Sequence, residues 1–269
     1  MPAEHLAIII QARLESTRLP NKILTPLFGQ PMILWVLDRL SRVHEPHTLL
    51  VAMPDTGSAA YEAQRLIKRH GYECLLVSSV NPDDVLGRFV IAAQETEATE
   101  IVRVCGDSPL VDPTVIDALV SYHRWQSNYA DYTAVASEWP DGTDVEMFTR
   151  NALERAHAEA TDAADREHIT PWIWRKENGF NTAYMPCPFD LAWMQYSIDT
   201  EHDMRLVSAL LSMLLERYGH TFTWRDIWSC VLASPWIEQQ MRKRQRNSGY
   251  LAQVGATQSW ESLRYAANT

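Results

Sequence analysis

Cysteine is scarce and dispersed: four residues (Cys74, Cys105, Cys187, Cys230) in 269, no two of them close together. A chain of this size with so few thiols carries neither a disulfide framework nor a Cys-ligated zinc site, and reduced thiols are expected. Long apolar runs are lacking too. No stretch approaches the roughly 18 uninterrupted apolar residues of a membrane-spanning helix. The opening MPAEHLAIII holds an acid and only a short apolar run, which is not a signal peptide. A cytoplasmic location is the expectation. Positive charge is in deficit, with 24 Lys and Arg against 34 Asp and Glu and a net charge of −10. This excludes nonspecific binding to nucleic acid or an anionic membrane by the chain as a whole, so an anionic ligand must meet a local basic cluster. Also missing is a G-x-x-x-x-G-K-[ST] loop, which excludes Walker-type kinases. No Asp-x-Asp occurs either, which disfavours the nucleotide-sugar-dependent glycosyltransferases that hold their metal with that pair. Internal repeats, low-complexity segments and linkers are likewise absent.

What is present is a core-forming composition, 46% apolar, enough for one large α/β domain with an appendage. Residues 6–12 (LAIIIQA), 48–53 (TLLVAM), 73–77 and 100–105 (EIVRVC) read as strands buried on both faces. Helices are expected from Pro31 onward, over 58–70 and over 83–95, the last with Asp83 and Asp84 favourably placed at its start. Strands alternating with helices predict an α/β fold, a doubly wound and mostly parallel sheet whose ligands bind at the carboxyl edge. Beyond about residue 125 the pattern changes. Strands are predicted at 131–136, 143–149, 181–185 and 193–198, and helices at 151–160, 166–176 and 201–218. Residues 1–220 then form the α/β domain, and 221–269 a helical C-terminal extension packed on it.

The most informative segment is QARLESTRLPNKIL, residues 11–24, where Arg13, Arg18 and Lys22 face only one acid, Glu15. It follows the first buried strand and so lies at the sheet's carboxyl edge. A polyphosphate spreads its charge over many oxygens and needs several converging donors. Arg13 and Arg18 each offer a fork of two donors, Lys22 a point charge and Ser16 a hydroxyl. The alternative is a solvated basic loop. Asp107 ends the fourth strand at the same edge, and Asp199 follows residues 193–198 just ahead of a helix. Two carboxylates from separate strand ends suit one Mg²⁺ beside phosphate oxygens; alternatively Asp199 or Thr200 merely caps that helix.

The pattern A-R-x-x-S-x-R-L-P-x-K after a first strand resembles the signature loop of the cytidylyltransferases that make CMP-sugars. These include the CMP-sialic acid and CMP-Kdo synthetases and, closest, the spore-coat polysaccharide biosynthesis type. CGDSPLVDP (residues 105–113), PDGTDVEMF (140–148), REHITPWIW (166–174), YSIDTEHD (196–203) and NSGYL (247–251) resemble further segments, in family order along nearly the whole chain.

The resemblance implies a nucleotide-diphospho-sugar transferase-like fold and transfer of CMP from CTP to an acidic sugar, nonulosonic or Kdo-like, with release of pyrophosphate. It implies Mg²⁺ on Asp107 and Asp199, with Asp203 at a further family position, and a homodimer. Arg13, Ser16, Arg18 and Lys22 would hold the β- and γ-phosphates, and Arg13, Lys22 and Asp107 would carry catalysis. Arg88 falls where relatives contact base and ribose; alternatively it is an exposed helix arginine paired with Asp84. Asp144 and Glu146, two apart on an expected strand, and Arg166, Glu167 and His168 are reasonable acceptor contacts or else a polar rim. Glu15 departs from the family, which often has Gly there, and must point outward to spare a triphosphate its repulsion. Of Trp172 and Trp174, one is expected at an interface, and the run RKRQR (242–246) on a solvated helix face. The rival readings are a cytidylyltransferase with a non-sugar acceptor such as a phosphonate, and a non-catalytic nucleotide-binding relative.

Overall fold

Leu6–Gln11 (β1) forms the centre of the molecule because its run of apolar residues offers no side to water. Leu6, Ile8 and Ile10 point into one hydrophobic core and Ala7 and Ile9 into another, on opposite faces of a single sheet. A computed structural model describes residues 4–126 and 130–243. After β1 come a small hairpin, Pro26–Leu27 (β2) and Gln30–Pro31 (β3), then Met32–Leu40 (α1), Thr48–Pro54 (β4), Ser58–Arg69 (α2) and Glu73–Val77 (β5). Val85–Glu95 (α3), Glu100–Cys105 (β6), Pro113–Trp125 (α4), Tyr132–Val135 (β7) and Glu146–Thr149 (β8) follow. The remainder is Arg150–Glu159 (α5), Ala163–His168 (α6), Pro171–Trp174 (α7), Thr182–Met185 (β9), Glu201–Tyr218 (α8), Trp224–Leu232 (α9) and Pro235–Met241 (α10).

The main sheet runs β5-β4-β1-β6-β8-β7-β9. Its first four strands are parallel, β8 is antiparallel to both neighbours, and β9 is parallel to β7. The chain ends of β1, β4, β6, β7 and β9 therefore share one edge. This is the mostly parallel, doubly wound sheet expected, with helices at its C-terminal end. All four cysteines are free thiols. Among the described residues no helix is long and apolar enough to cross a membrane.

Several expectations are corrected. Residues 193–198 form no strand: only Gln195 makes an isolated bridge, to Asp141. The segment's backbone is divided among different partners, Asp141 N–H to Met194 O, Tyr196 N–H to Asp141 O and Ile198 N–H to Asp107 O, which no straight ladder allows. The strand expected over 143–149 starts only at Glu146, because Gly142–Asp144 turns on itself: the Gly142 N–H bonds the Asp144 carboxylate at 3.1 Å. The helix expected over 166–176 is broken. It ends at His168, and Pro171, with no N–H to continue it, begins a separate four-residue helix. Trp174 is buried there and Trp172 packs edge-on against Phe180, so both indoles find partners within the chain. A helix the sequence reading leaves out, α4, begins at Asp112-Pro113 with the Asp112 carboxylate bonded to the Thr114 N–H, a strong start signal. The NSGYL segment lies outside the described residues, as does most of RKRQR. Its first residue, Arg242, folds onto Glu238 and over the Trp193 ring.

The C-terminal helices share the core of α1 and α8. Buried Arg39 of α1 donates to Val111 O at 2.6 Å and Phe222 O at 2.9 Å, with its guanidinium on the Phe222 ring. The second oxygen of Asp112 accepts from the Trp224 N–H at 2.6 Å. These bonds tie the loop after β6 to the extension.

Gly142 has φ +102°, and a Cβ there would run into the Tyr196 ring. Gly142→Ala is expected to lower stability by about 3 kcal/mol, from strain and overpacking together. Gly179→Ala, also at positive φ (+68°) but facing open space, should cost only about 1 kcal/mol. Urea unfolding of the two variants checks the ranking.

Candidate active site

The basic loop is folded by its apolar residues. Leu14 and Ile23 are buried, the Asn21 N–H bonds Leu14 O, and residues Lys22–Leu24 make one turn of 3-10 helix. That turn aims Lys22 inward. Its ammonium lies 2.6 Å from Asp107 Oδ2, 2.8 Å from Asp199 Oδ1 and 3.3 Å from the Ile198 carbonyl oxygen. Arg18 Nη2 reaches the other Asp199 oxygen at 2.9 Å. Burial alone would push the Lys22 pKa down, but the two carboxylates outweigh it and hold the ammonium above its ordinary range.

Two backbone features bring the carboxylates here. Gly106 donates its N–H to Gln11 O at 2.9 Å, and a Cβ on it would lie only 3.1 Å from that oxygen. The end of β6 thus comes against the end of β1, which carries Asp107 under the loop. Asp199 arrives along the irregular segment pinned by the bond from the Ile198 N–H to Asp107 O at 2.9 Å. It does not cap α8. Thr200 and Asp203 form a reciprocal capping box there, and Asp203 also accepts from the Asp199 N–H at 3.0 Å. Asp203 orients the Asp199 backbone and is itself buried.

Arg13 is held more loosely. Its Nη1 lies 3.5 Å from Asp83 and 3.3 Å from Glu167, with the side chain 39% exposed. Exposed pairs of this kind contribute roughly 0–1 kcal/mol and release their partners easily. The Ser16 hydroxyl accepts from the Leu19 N–H at 3.4 Å, and Glu15 is exposed, as an outward-pointing carboxylate requires. Arg88 meets neither expectation in full. It is wholly buried, and Asp84 serves instead as the α3 cap for Gly87 and as the partner of Arg166. Arg88 donates Nη1 to Pro82 O, while Nε and Nη2 have no partner among the described residues. Burial and, next, the charge of Arg13 draw its pKa down to about 10, against the opposing pull of Asp84, Asp83 and Glu15.

The expected acceptor contacts divide. Glu146 is buried, accepting from Tyr132 and Thr170 and paired with Arg103, which also grips Gln11. It braces the sheet under the site and is not part of a rim. Arg166 is likewise committed, to Asp84 and the carbonyls of His157 and Ala160. Glu146 is the correction, since a buried charge must be paired and it finds its partners inside the chain; Arg166 stays a quarter exposed. Asp144, Glu167 and His168 remain partly exposed. Glu167 is the member that touches the loop, through Arg13. Ile169, which the sequence reading does not single out, links the two groups. It has φ +67° and ψ −62°, rare for a β-branched residue, and the Thr170 N–H bonds His168 O at 2.8 Å across it, a strained γ-turn. Sequence alone signals only that Thr170-Pro171 interrupts a helix.

Among the described residues no group of three or more His, Cys, Asp and Glu side chains is placed to hold a metal. Two converging carboxylates nevertheless fit a magnesium-like ion, which binds through one or two carboxylates and completes its shell with phosphate oxygens and water. Asp107 and Asp199 are the residues that would hold it.

A mostly parallel sheet with a cationic loop after its first strand, facing carboxylates at the same edge, defines a nucleotidyltransferase of the nucleotide-diphospho-sugar transferase-like fold. The family model described as cytidylyltransferase matches residues 7–223, and the chain belongs to that family. It is 28% identical over 219 residues to the spore coat polysaccharide biosynthesis protein SpsF of Bacillus subtilis, covering 79% of this chain and 88% of that one. A cytidylyltransferase structure from Leptospira borgpetersenii superposes with a TM-score of 0.78 at 25% identity, over 88% of this chain and 97% of that one. A CMP:2-keto-3-deoxy-manno-octonic acid synthetase complexed with CTP shares the fold, with a TM-score of 0.61 at 17% identity, over 78% and 99%.

If Ile169 is strained as its φ implies, glycine should outperform alanine there, the reverse of the ordinary order. Ile169→Gly is expected to be about 1 kcal/mol more stable than Ile169→Ala. Denaturant midpoints decide it, and a more stable alanine variant would contradict the strain.

Proposed function

We propose that this CTP-dependent cytidylyltransferase transfers CMP to a hydroxyl of an acidic sugar, nonulosonic or Kdo-like, releasing pyrophosphate in the making of a surface polysaccharide. The carrying observation is the convergence of Lys22 and Arg18 from one loop on Asp107 and Asp199 from two distant segments. The likenesses to SpsF and to a CTP-bound CMP-Kdo synthetase support the sugar acceptor. We take Mg²⁺ as the ion and the protein as a cytoplasmic homodimer, following the family likeness.

In this reading the chain's work is positioning and charge neutralisation. Lys22, Arg18 and Arg13 move from carboxylates to the β- and γ-phosphates and stabilise the departing pyrophosphate, with Ser16 adding its hydroxyl. Arg13 breaks only weak, half-exposed pairs to do so. The unpartnered Nε and Nη2 of Arg88 lie close enough to Arg13 to share its field, two donors kept for the nucleotide once Arg13 has moved. Asp107 and Asp199 would hold Mg²⁺, which would supply Lewis-acid polarisation of the α-phosphate. Asp144, Glu167 and His168 face the acceptor.

Asp107→Asn is expected to lower pyrophosphate release on the order of 100-fold while the far-UV spectrum stays unchanged. Normal turnover in that variant would remove Asp107 from the chemistry. With Mg²⁺ present, CTP at 100 times its Kd should stabilise the protein by about 2.7 kcal/mol, and ATP or GTP at the same concentration by clearly less. Equal thermal shifts for the three would refute the cytidine preference.

A further inference from the structure

We infer that Lys22 and the metal ion are alternative occupants of one position, so that the ion and the nucleotide triphosphate bind as a coupled pair. The inference rests on reading Asp107 and Asp199 as the metal ligands. The Lys22 ammonium sits between the two carboxylates at 2.6 and 2.8 Å and touches the Ile198 carbonyl oxygen as well. An ion held by Asp107 and Asp199 at roughly the 2.0–2.1 Å of Mg²⁺ meets an Asp199 whose two oxygens are both engaged, Oδ1 by Lys22 and Oδ2 by Arg18, and enters the space where the ammonium sits. Two cations cannot share so small a space between two carboxylates. The arrangement with Lys22 between the acids and the arrangement with a metal there therefore exclude each other.

Lys22 cannot simply swing into water at no cost. Its side chain is only 11% exposed, and its stem is packed on the turn that Leu14 and Ile23 hold in place. It needs another anion within reach. The rest of the loop is arranged the same way: Arg18 sits on Asp199, and Arg13 on Asp83 and Glu167. Each loop cation is neutralised by a carboxylate, and three of the five contacts draw on Asp107 and Asp199. A magnesium triphosphate brings both missing partners at once, phosphate oxygens for Lys22, Arg18 and Arg13, and a divalent cation for Asp107 and Asp199. The exchange conserves charge pairing on both sides, which neither component achieves alone. By linkage, whatever factor CTP adds to metal affinity, the metal adds to CTP affinity. Lys22 thus acts as a positioning residue for the two acids: it keeps them converged and shuts out adventitious divalent ions until a triphosphate arrives.

The test is Mn²⁺ binding, read from the electron paramagnetic resonance signal of the free ion, with the full-length protein and with a CTP-only control subtracted. Wild type is expected to bind Mn²⁺ at least tenfold more tightly with saturating CTP than without it. Lys22→Gln keeps the length and a donor but removes the charge. It is expected to bind Mn²⁺ without nucleotide at least tenfold more tightly than wild type, with most of the CTP enhancement gone. Adding Asp199→Asn to Lys22→Gln should abolish that gain. Wild-type protein that binds Mn²⁺ equally well with and without CTP overturns the inference without any variant being needed. So does a folded Lys22→Gln protein with unchanged nucleotide-free affinity. Should CTP-enhanced binding in wild type survive both Asp107→Asn and Asp199→Asn, the metal-ligand reading itself falls, and the inference with it.

Discussion

One ammonium between two carboxylates organises this protein. Asp107 and Asp199 lie far apart in sequence and come from segments with no ladder between them beyond the bond from the Ile198 N–H to Asp107 O. Without a cation they would repel across a partly buried space, and the irregular stretch leading to α8 would lose its anchor at the sheet edge. Lys22 supplies that cation from the opposite side, out of a loop shaped by two buried aliphatic residues. Sheet, loop and helix thus meet at one charge. In the proposed function the same charge serves a phosphate, so that an element of structure and an element of chemistry would be the same atom.

Around that point the remaining polar groups fall into two tiers. Glu146, Arg103, Gln11, Tyr132 and Thr170 form a network buried under the sheet edge, where each charge has a partner and movement would be costly. Arg13, Glu167 and Asp83 form the upper tier, partly to largely exposed and paired at 3.3–3.5 Å. A rigid base with a loosely tethered top suits a site that must admit and release a large polyanion.

Much of the scaffold was legible in the residues. The strands at 73–77 and 100–105 and the helix at 201–218 are observed with the expected bounds, because hydrophobic period and end signals agree there. The basic loop and Asp107 were legible for a related reason, a motif placed directly after a buried strand. What stayed hidden depends on contacts distant in sequence. Residues 193–198 read as a strand, yet Asp141 and Asp107 capture their backbone. Asp144 and Glu146 look paired along a strand, but a turn at Gly142 separates them. Glu146 carries the charge of a ligand rim and is instead consumed inside the fold. Ile169 carries no sequence mark of the left-handed backbone that splits its helix. Side-chain type alone does not tell an internal counter-ion from one reserved for substrate.

The joint formed by Arg39, Asp112 and Trp224 has a further meaning. The family match ends at residue 223, one position before the tryptophan whose backbone N–H is bonded to Asp112. Asp112 lies five residues past Asp107 on the same loop and starts α4 with its other oxygen. The tail is therefore no ornament that engineering can trim or swap between relatives at will. A chimera that exchanges it without its two polar clasps would take the Phe222 carbonyl from a buried guanidinium and the Trp224 N–H from a buried carboxylate, and the damage would surface first in the loop that carries Asp107.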